Sequence, residues 1–158
     1  MARAGSGRTG AMSGMLASEA KPQRWGARIP LAVIYAVAGA FHLTVPDVFV
    51  TITPAWVPKP HEVIIVTGLC ELAGAAALLT GRTRAIAGIA LAAYAVCVYP
   101  ANIKHAIDSL SAPTPPVLGW WYHAPRLALQ PVLVWWALYA GGLVTWPFSR
   151  RREGEGGS

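Results

Sequence analysis

Five polar side chains lie within or at the edges of apolar sequence: His42, Glu71, Asn102, Arg126 and Gln130. Glu71 stands near the middle of residues 61–80, HEVIIVTGLCELAGAAALLT. At about 1.5 Å per residue that run spans roughly 30 Å, about one bilayer core. An acid at the centre of such a helix costs about 3 kcal/mol on insertion scales, so it survives by facing protein and finding a partner. Two readings follow. Glu71 either belongs to a functional site, where it can shuttle a proton, or it pairs with a cation and locks helices together. Arg126 is the expected partner, reaching toward Glu71 directly or through Gln130, which lies one turn further on. In a site, Arg126 would hold an anionic or carbonyl oxygen. His42, near a helix end, reads first as a satisfied interface residue and second as a ligand contact. Cys70 and Cys97 form no CxxC pair and no metal-ligand spacing, so they read as small core residues and no metal site is expected.

The composition sets the surroundings of these groups. The chain has 158 residues, 54% hydrophobic and 13% charged, with a mean hydropathy of +0.44. A soluble domain carries about 25% charge, so this is a membrane composition and the bilayer is the first partner. The net charge of +6 comes from cations that flank apolar runs. They form no groove-sized patch, so nucleic-acid binding is not expected.

The pattern predicts an all-α integral membrane protein, a four-helix bundle spanning residues 25–149. Residues 1–24 read as a disordered basic tail and 150–158 as a second tail. Met12 and Met15 are alternative starts. The expected helices are about 28–45, 61–80, 84–103 and 125–147. The first apolar run is too long for a typical signal core, so it reads as a retained span. On helix 61–80, Thr67, Gly68, Glu71, Gly74 and Ala75 share one face, where small residues admit a neighbouring helix. Ile65, Leu69, Leu72, Ala76 and Leu79 form the opposite face, suited to lipid. On the first helix, Tyr35, Ala38, Gly39 and His42 line up in the same way. Pro100 sits inside the third helix, where it frees the carbonyl of Val96, with Asn102 just beyond. Residues 104–124 read as a loop, with AIDSL as a short surface helix. Pro125 suits the first turn of the last helix.

Residues 46–60, PDVFVTITPAWVPKP, are too short and proline-rich to span and too apolar for a solvated loop. They read either as an interfacial anchor or as a lid over the mouth of the bundle, with Trp56 as the lid candidate.

Orientation follows the excess of Lys and Arg on the cytoplasmic side. Arg3, Arg8, Lys21, Arg24, Arg28, Arg82, Arg84, Arg150, Arg151 and Arg152 fall on one side. Only Lys59, Lys104 and Arg126 fall on the other. Both termini are therefore expected inside, which agrees with an even number of spans placing them on the same side. This topology gathers His42, Asn102, Arg126 and Gln130 in the outer half of the bundle, above Glu71, as a pocket facing outward.

The stretches FHLTVPDVFVTITPAWVP, TGLCELAGAAALL, GRTRAIAGIAL with YPANI, and RLALQPVLVWW resemble, in order and spacing, the DoxX-like family of small bacterial and archaeal membrane proteins. The resemblance covers about 28–147. It implies a multi-pass four-helix bundle in the cytoplasmic membrane of a prokaryote, associated with a quinone-linked redox complex. It also implies that His42, Glu71, Asn102, Arg126 and Gln130 are the family's polar positions. The sequence encodes no thiol pair, haem-type ligand pair or flavin fingerprint, so a partner subunit would carry the electrons. The first expectation is thus an accessory rather than independently catalytic redox subunit, whose outer pocket binds a quinone headgroup or a small oxidised-sulfur anion. A structural adaptor and a small ion-coupled carrier are the alternatives. With only four spans, a carrier would require a homo-oligomer.

Overall fold

The computed structural model describes residues 24–112 and 119–146. Among them are five helices and no strands: α1 (Trp25–Thr44), α2 (Pro46–Ile52), α3 (Pro60–Leu79), α4 (Arg84–Leu110) and α5 (Trp120–Gly141). Helices α1, α3 and α4 are long and apolar enough to cross a membrane. The 22 residues of α5 have the length but not the composition, because His123, Arg126, Gln130 and two prolines dilute its apolar content. The expected tails lie outside the described residues, apart from Arg24.

Three boundaries differ most from expectation. The third helix does not stop at 103; α4 runs through Pro100 to Leu110, and AIDSL is its last turn. Proline removes one backbone bond, and the turns beyond it are held by buried Ala106 and by the Lys104–Asp108 ion pair at i,i+4 spacing. Helix α5 begins at Trp120, so Pro125 lies in its second turn and the aromatic residues Trp120, Trp121 and Tyr122 form its first. It ends at Gly141, short of 147. Gly142 takes a left-handed conformation, φ 83°, and Leu143 N–H bonds the Leu138 carbonyl while Gly142 N–H bonds that of Tyr139. That paired closure is a Schellman motif, which needs a residue free to adopt positive φ.

Buried positions repeat at the seam spacing of packed helices. On α3 they are Ile64, Gly68, Glu71, Ala75 and Leu78, in alternating steps of four and three. On α5, His123, Gln130 and Ala137 lie one heptad apart. Helix α1 packs chiefly on α3 and α4 chiefly on α5, while α3–α4 and α1–α5 contacts join the two pairs. The solid core includes Leu31, Tyr35, Leu78, Leu91 and Ala137, toward the end that carries the α3–α4 turn. Apolar side chains such as Val37, Val66, Leu69, Ile86 and Val96 point outward and are exposed. An apolar exterior around a core of small residues suits hydrocarbon surroundings. Cys70 and Cys97 are free and lie on this exterior rather than in the core.

Candidate functional site

The site is set by one close helix crossing. A Cβ on Gly39 would stand 2.7 Å from the Gly68 carbonyl and 3.1 Å from Glu71 Cβ. A Cβ on Gly68 would stand 2.9 Å from His42 Cβ. Each glycine therefore leaves room for the polar side chain of the opposite helix. The outcome is an ion pair: His42 Nδ1 is 2.7 Å from Glu71 Oε2, with Glu71 3% exposed. The same nitrogen lies 2.9 Å from the Ala38 carbonyl, which can only accept, so the proton sits on Nδ1 and is shared between the two oxygens.

This corrects the expected pairing. Glu71 takes His42 and not Arg126, because the Gly39–Gly68 contact brings α1 against the Glu71 face of α3. Arg126 approaches from α5, with its guanidinium carbon 5.8 Å from the Tyr122 ring centre. Its Nη1 is buried and has no hydrogen-bond partner.

Above and beside the ion pair is a cavity of about 480 Å³ lined from all five helices. Small-molecule sites fall in the range of roughly 300–1,000 Å³. His42, Glu71, Asn102, Arg126 and Gln130 all border it, so the structure brings the five candidates to one space. Asn102 Nδ2 donates to Gln130 Oε1 at 3.1 Å, and Gln130 Nε2 donates to the Ala95 carbonyl. Gln130 is thereby fixed between α4 and α5 and is 6% exposed. The remaining wall is largely aliphatic and aromatic, including Ile34, Ile52, Ile64, Val98 and Leu133.

The lid stretch is partly helical and covers one side. Phe49 on α2 lies over the His42 ring, with centres 4.0 Å apart, and Ile52 and Val57 line the same wall. Trp56, the lid candidate, borders the cavity but is 73% exposed. It also borders a second cavity of about 450 Å³ beside Pro54, Pro100, Lys104 and Ile107. Trp56 is thus a rim residue, and Phe49 is the closer cover.

Sequence reading placed Thr67 on the Glu71 face but missed a second polar neighbour, Tyr94. The Tyr94 side chain lies beside the Glu71 carboxyl and near Thr67. Thr67 donates its hydroxyl to the Ile64 carbonyl at 2.8 Å. Tyr94 lies eight residues before Asn102, on the same helical stripe, and that spacing was the available signal. Tyr99, beside Pro100 on the same helix, does not line the cavity.

A family model described as a domain of unknown function, DUF8561, matches residues 31–141. That range holds all five polar candidates, helices α2 to α5 and all of α1 beyond Pro30. No curated protein matches the chain, and no solved structure does.

Proposed function

We propose that this chain, which belongs to the DUF8561 family, is an accessory membrane subunit that holds a lipophilic molecule with an oxygen-bearing head, of quinone type, for a redox partner. In this reading α5 joins α1, α3 and α4 in a four-helix membrane bundle, with both termini on the cytoplasmic side of a prokaryotic membrane. The resemblance of its motifs to the DoxX-like family supports the redox association. One observation carries the ligand reading: a cavity with apolar walls and polar groups gathered from α1, α3, α4 and α5. An apolar body would rest against Ile34, Val98 and Leu133. An oxygen would meet Arg126, Asn102 or Glu71, which can exchange a proton with it. Phe49 and Trp56 would limit water entry from one side.

Purification in mild detergent, followed by mass spectrometry of bound molecules and proteins, tests this function. The expected result is a near-stoichiometric lipophilic molecule, together with a redox subunit. A preparation with neither would overturn it. For the topology, external cysteine labelling should reach a probe at Ser111 and not at Ser6 or Ser158. Labelling of either tail in intact cells would reverse the orientation.

A further inference from the structure

The polar groups of the cavity do not satisfy one another evenly, and the imbalance specifies the ligand. The carboxylate lining the cavity is Glu71, and it is engaged by His42 Nδ1 at 2.7 Å. The side-chain carbonyl of Gln130 is taken by Asn102, and its amide nitrogen is used on Ala95. On the donor side, Arg126 borders the same space with a buried Nη1 that meets no acceptor. Among the described residues no carboxylate lies within ion-pair distance of Arg126; the ion pairs are His42–Glu71 and Lys104–Asp108. A guanidinium stays charged under all ordinary conditions and carries five N–H donors and no acceptor. A buried donor without a partner is costly, and the cost is larger for a charged group.

We infer that the cavity takes an amphiphile whose compact head is anionic and whose oxygen binds the Arg126 guanidinium. This rests on the reading of the cavity as a ligand site and adds the charge of the ligand. Charge-assisted bonds from arginine to a carboxylate or phosphate oxygen are about twice as strong as neutral ones. A neutral carbonyl fills one acceptor position but leaves the cation without a counter-charge. A quinone-type ring meets the requirement when it bears a carboxylate or when its hydroxyl is ionised. The aliphatic wall beyond the polar end fits the apolar body.

A charge series on one ring system tests this. The full chain is placed in phosphatidylcholine nanodiscs, and binding of 2-naphthoate, neutral 2-naphthamide, cationic 2-naphthylmethylamine and neutral menadione is measured by equilibrium dialysis against empty discs. The expected result is naphthoate bound at least tenfold more tightly than naphthamide, with the amine weakest. Arg126→Gln should erase that preference, and Arg126→Lys should restore part of it. Equal binding of naphthoate and naphthamide to the unmodified chain overturns the inference. So does a preference that survives in Arg126→Gln. Menadione and naphthamide bound without naphthoate would defeat the anionic head while leaving the ligand site standing. No binding by any probe would defeat both. Repeating the series in discs containing phosphatidylglycerol separates the sources of the anion. Loss of naphthoate there assigns the site to lipid heads, and retention assigns it to a free anion; either outcome keeps the anionic head.

Discussion

The two ends of the molecule use the same device to different effect. At one end, α4 and α5 touch through Gly88 and Gly141; a Cβ on Gly88 would meet the Ala137 carbonyl at 2.7 Å and Gly141 Cα at 2.9 Å. That crossing adjoins the solid core. It is finished by arginines at the start of α1: Arg24, just before the helix, donates from Nη1 to the carbonyls of Tyr139 and Val144 at 2.7 and 2.6 Å, and Arg28 Nε donates to that of Ala140 at 3.4 Å. These carbonyls lie at or just past the end of α5, where the intrahelical ladder runs out, and that of Tyr139 also accepts from the Gly142 closure. The cations there close a helix end. At the other end, α1 and α3 touch through Gly39 and Gly68, and the room they leave holds His42 and Glu71 beside a cavity. Small residues bring backbones together in both places. What lies next to the contact decides whether the result is a seal or a site.

The largest expected effect lies at the hollow end. His42→Leu takes the imidazole away from the buried Glu71 carboxyl, and Glu71→Leu leaves the imidazole with the Ala38 carbonyl in place of a carboxylate. Breaking one side of a buried pair typically costs about 3–5 kcal/mol. The lower part of that range is expected, because a stranded carboxyl can take up a proton. The double change should recover at least half of the summed loss, and unfolding in mixed micelles would measure the coupling. Strictly additive losses would mean that the 2.7 Å contact contributes nothing. A double mutant that is stable but has lost its bound molecule would make the pair part of the site as well as a lock.

Next come the crossings themselves. Gly39→Ala and Gly88→Ala each push a methyl group against backbone, which cannot rotate away. Overpacking of this kind costs about 1–3 kcal/mol. The two should differ in their consequences. Gly39→Ala displaces α3 from α1 and should weaken ligand retention along with stability. Gly88→Ala, at the far end, should lower stability alone. Equal loss of ligand in both would contradict the division of the molecule into a seal and a site.

Arg24→Ala should have a smaller effect, since α5 keeps its Gly142 closure without it. Hydrogen bonds to charged groups are worth about 1.5–3 kcal/mol, and an exposed or half-exposed cation at a helix end contributes less. A loss of about 1 kcal/mol is expected, with the ligand retained. No change at all would make the arginine an orientation charge only.

That arginine shows where sequence reading reached its limit. Arg24 and Arg28 were legible as cations on one side of a membrane, because charge bias needs no knowledge of neighbours. Their use as caps depends on which helix end lies beside α1, and that is a tertiary fact. Glu71 was legible for a similar reason: one acid in an apolar run of membrane length stands out whatever surrounds it. The faces bearing Gly39 with His42, and Gly68 with Glu71, were also readable from helical spacing. Their mutual contact was not, and Arg126 was the expected cation, because nothing in the spacing tells that α1 and α3 touch at these glycines. The persistence of α4 beyond Pro100 was hidden because proline signals a break, whereas the Lys104–Asp108 pair and Ala106 act through context.

The smallest expected effect concerns a third tight glycine. A Cβ on Gly74 would stand 2.6 Å from Leu91 Cδ2 and 3.1 Å from its Cγ, closer than any contact at Gly39 or Gly88. Distance alone would rank Gly74→Ala as the most damaging of the three. The nature of the obstacle reverses that order. Leu91 presents a side chain, which can turn about its own bonds, while Gly39 and Gly88 face carbonyls and Cα atoms held in helices. Moving Leu91 off its preferred rotamer costs about 0.5–1.5 kcal/mol. Alanine in place of a mid-helix glycine returns about 0.8–1.0 kcal/mol through helix propensity. The two nearly cancel, so Gly74→Ala should unfold within about 1 kcal/mol of the unmodified chain, with the ligand retained. A loss as large as that of Gly88→Ala would mean that Leu91, 2% exposed within the core, is as unyielding as backbone. The solid end would then be held by side-chain packing as much as by its glycine crossing.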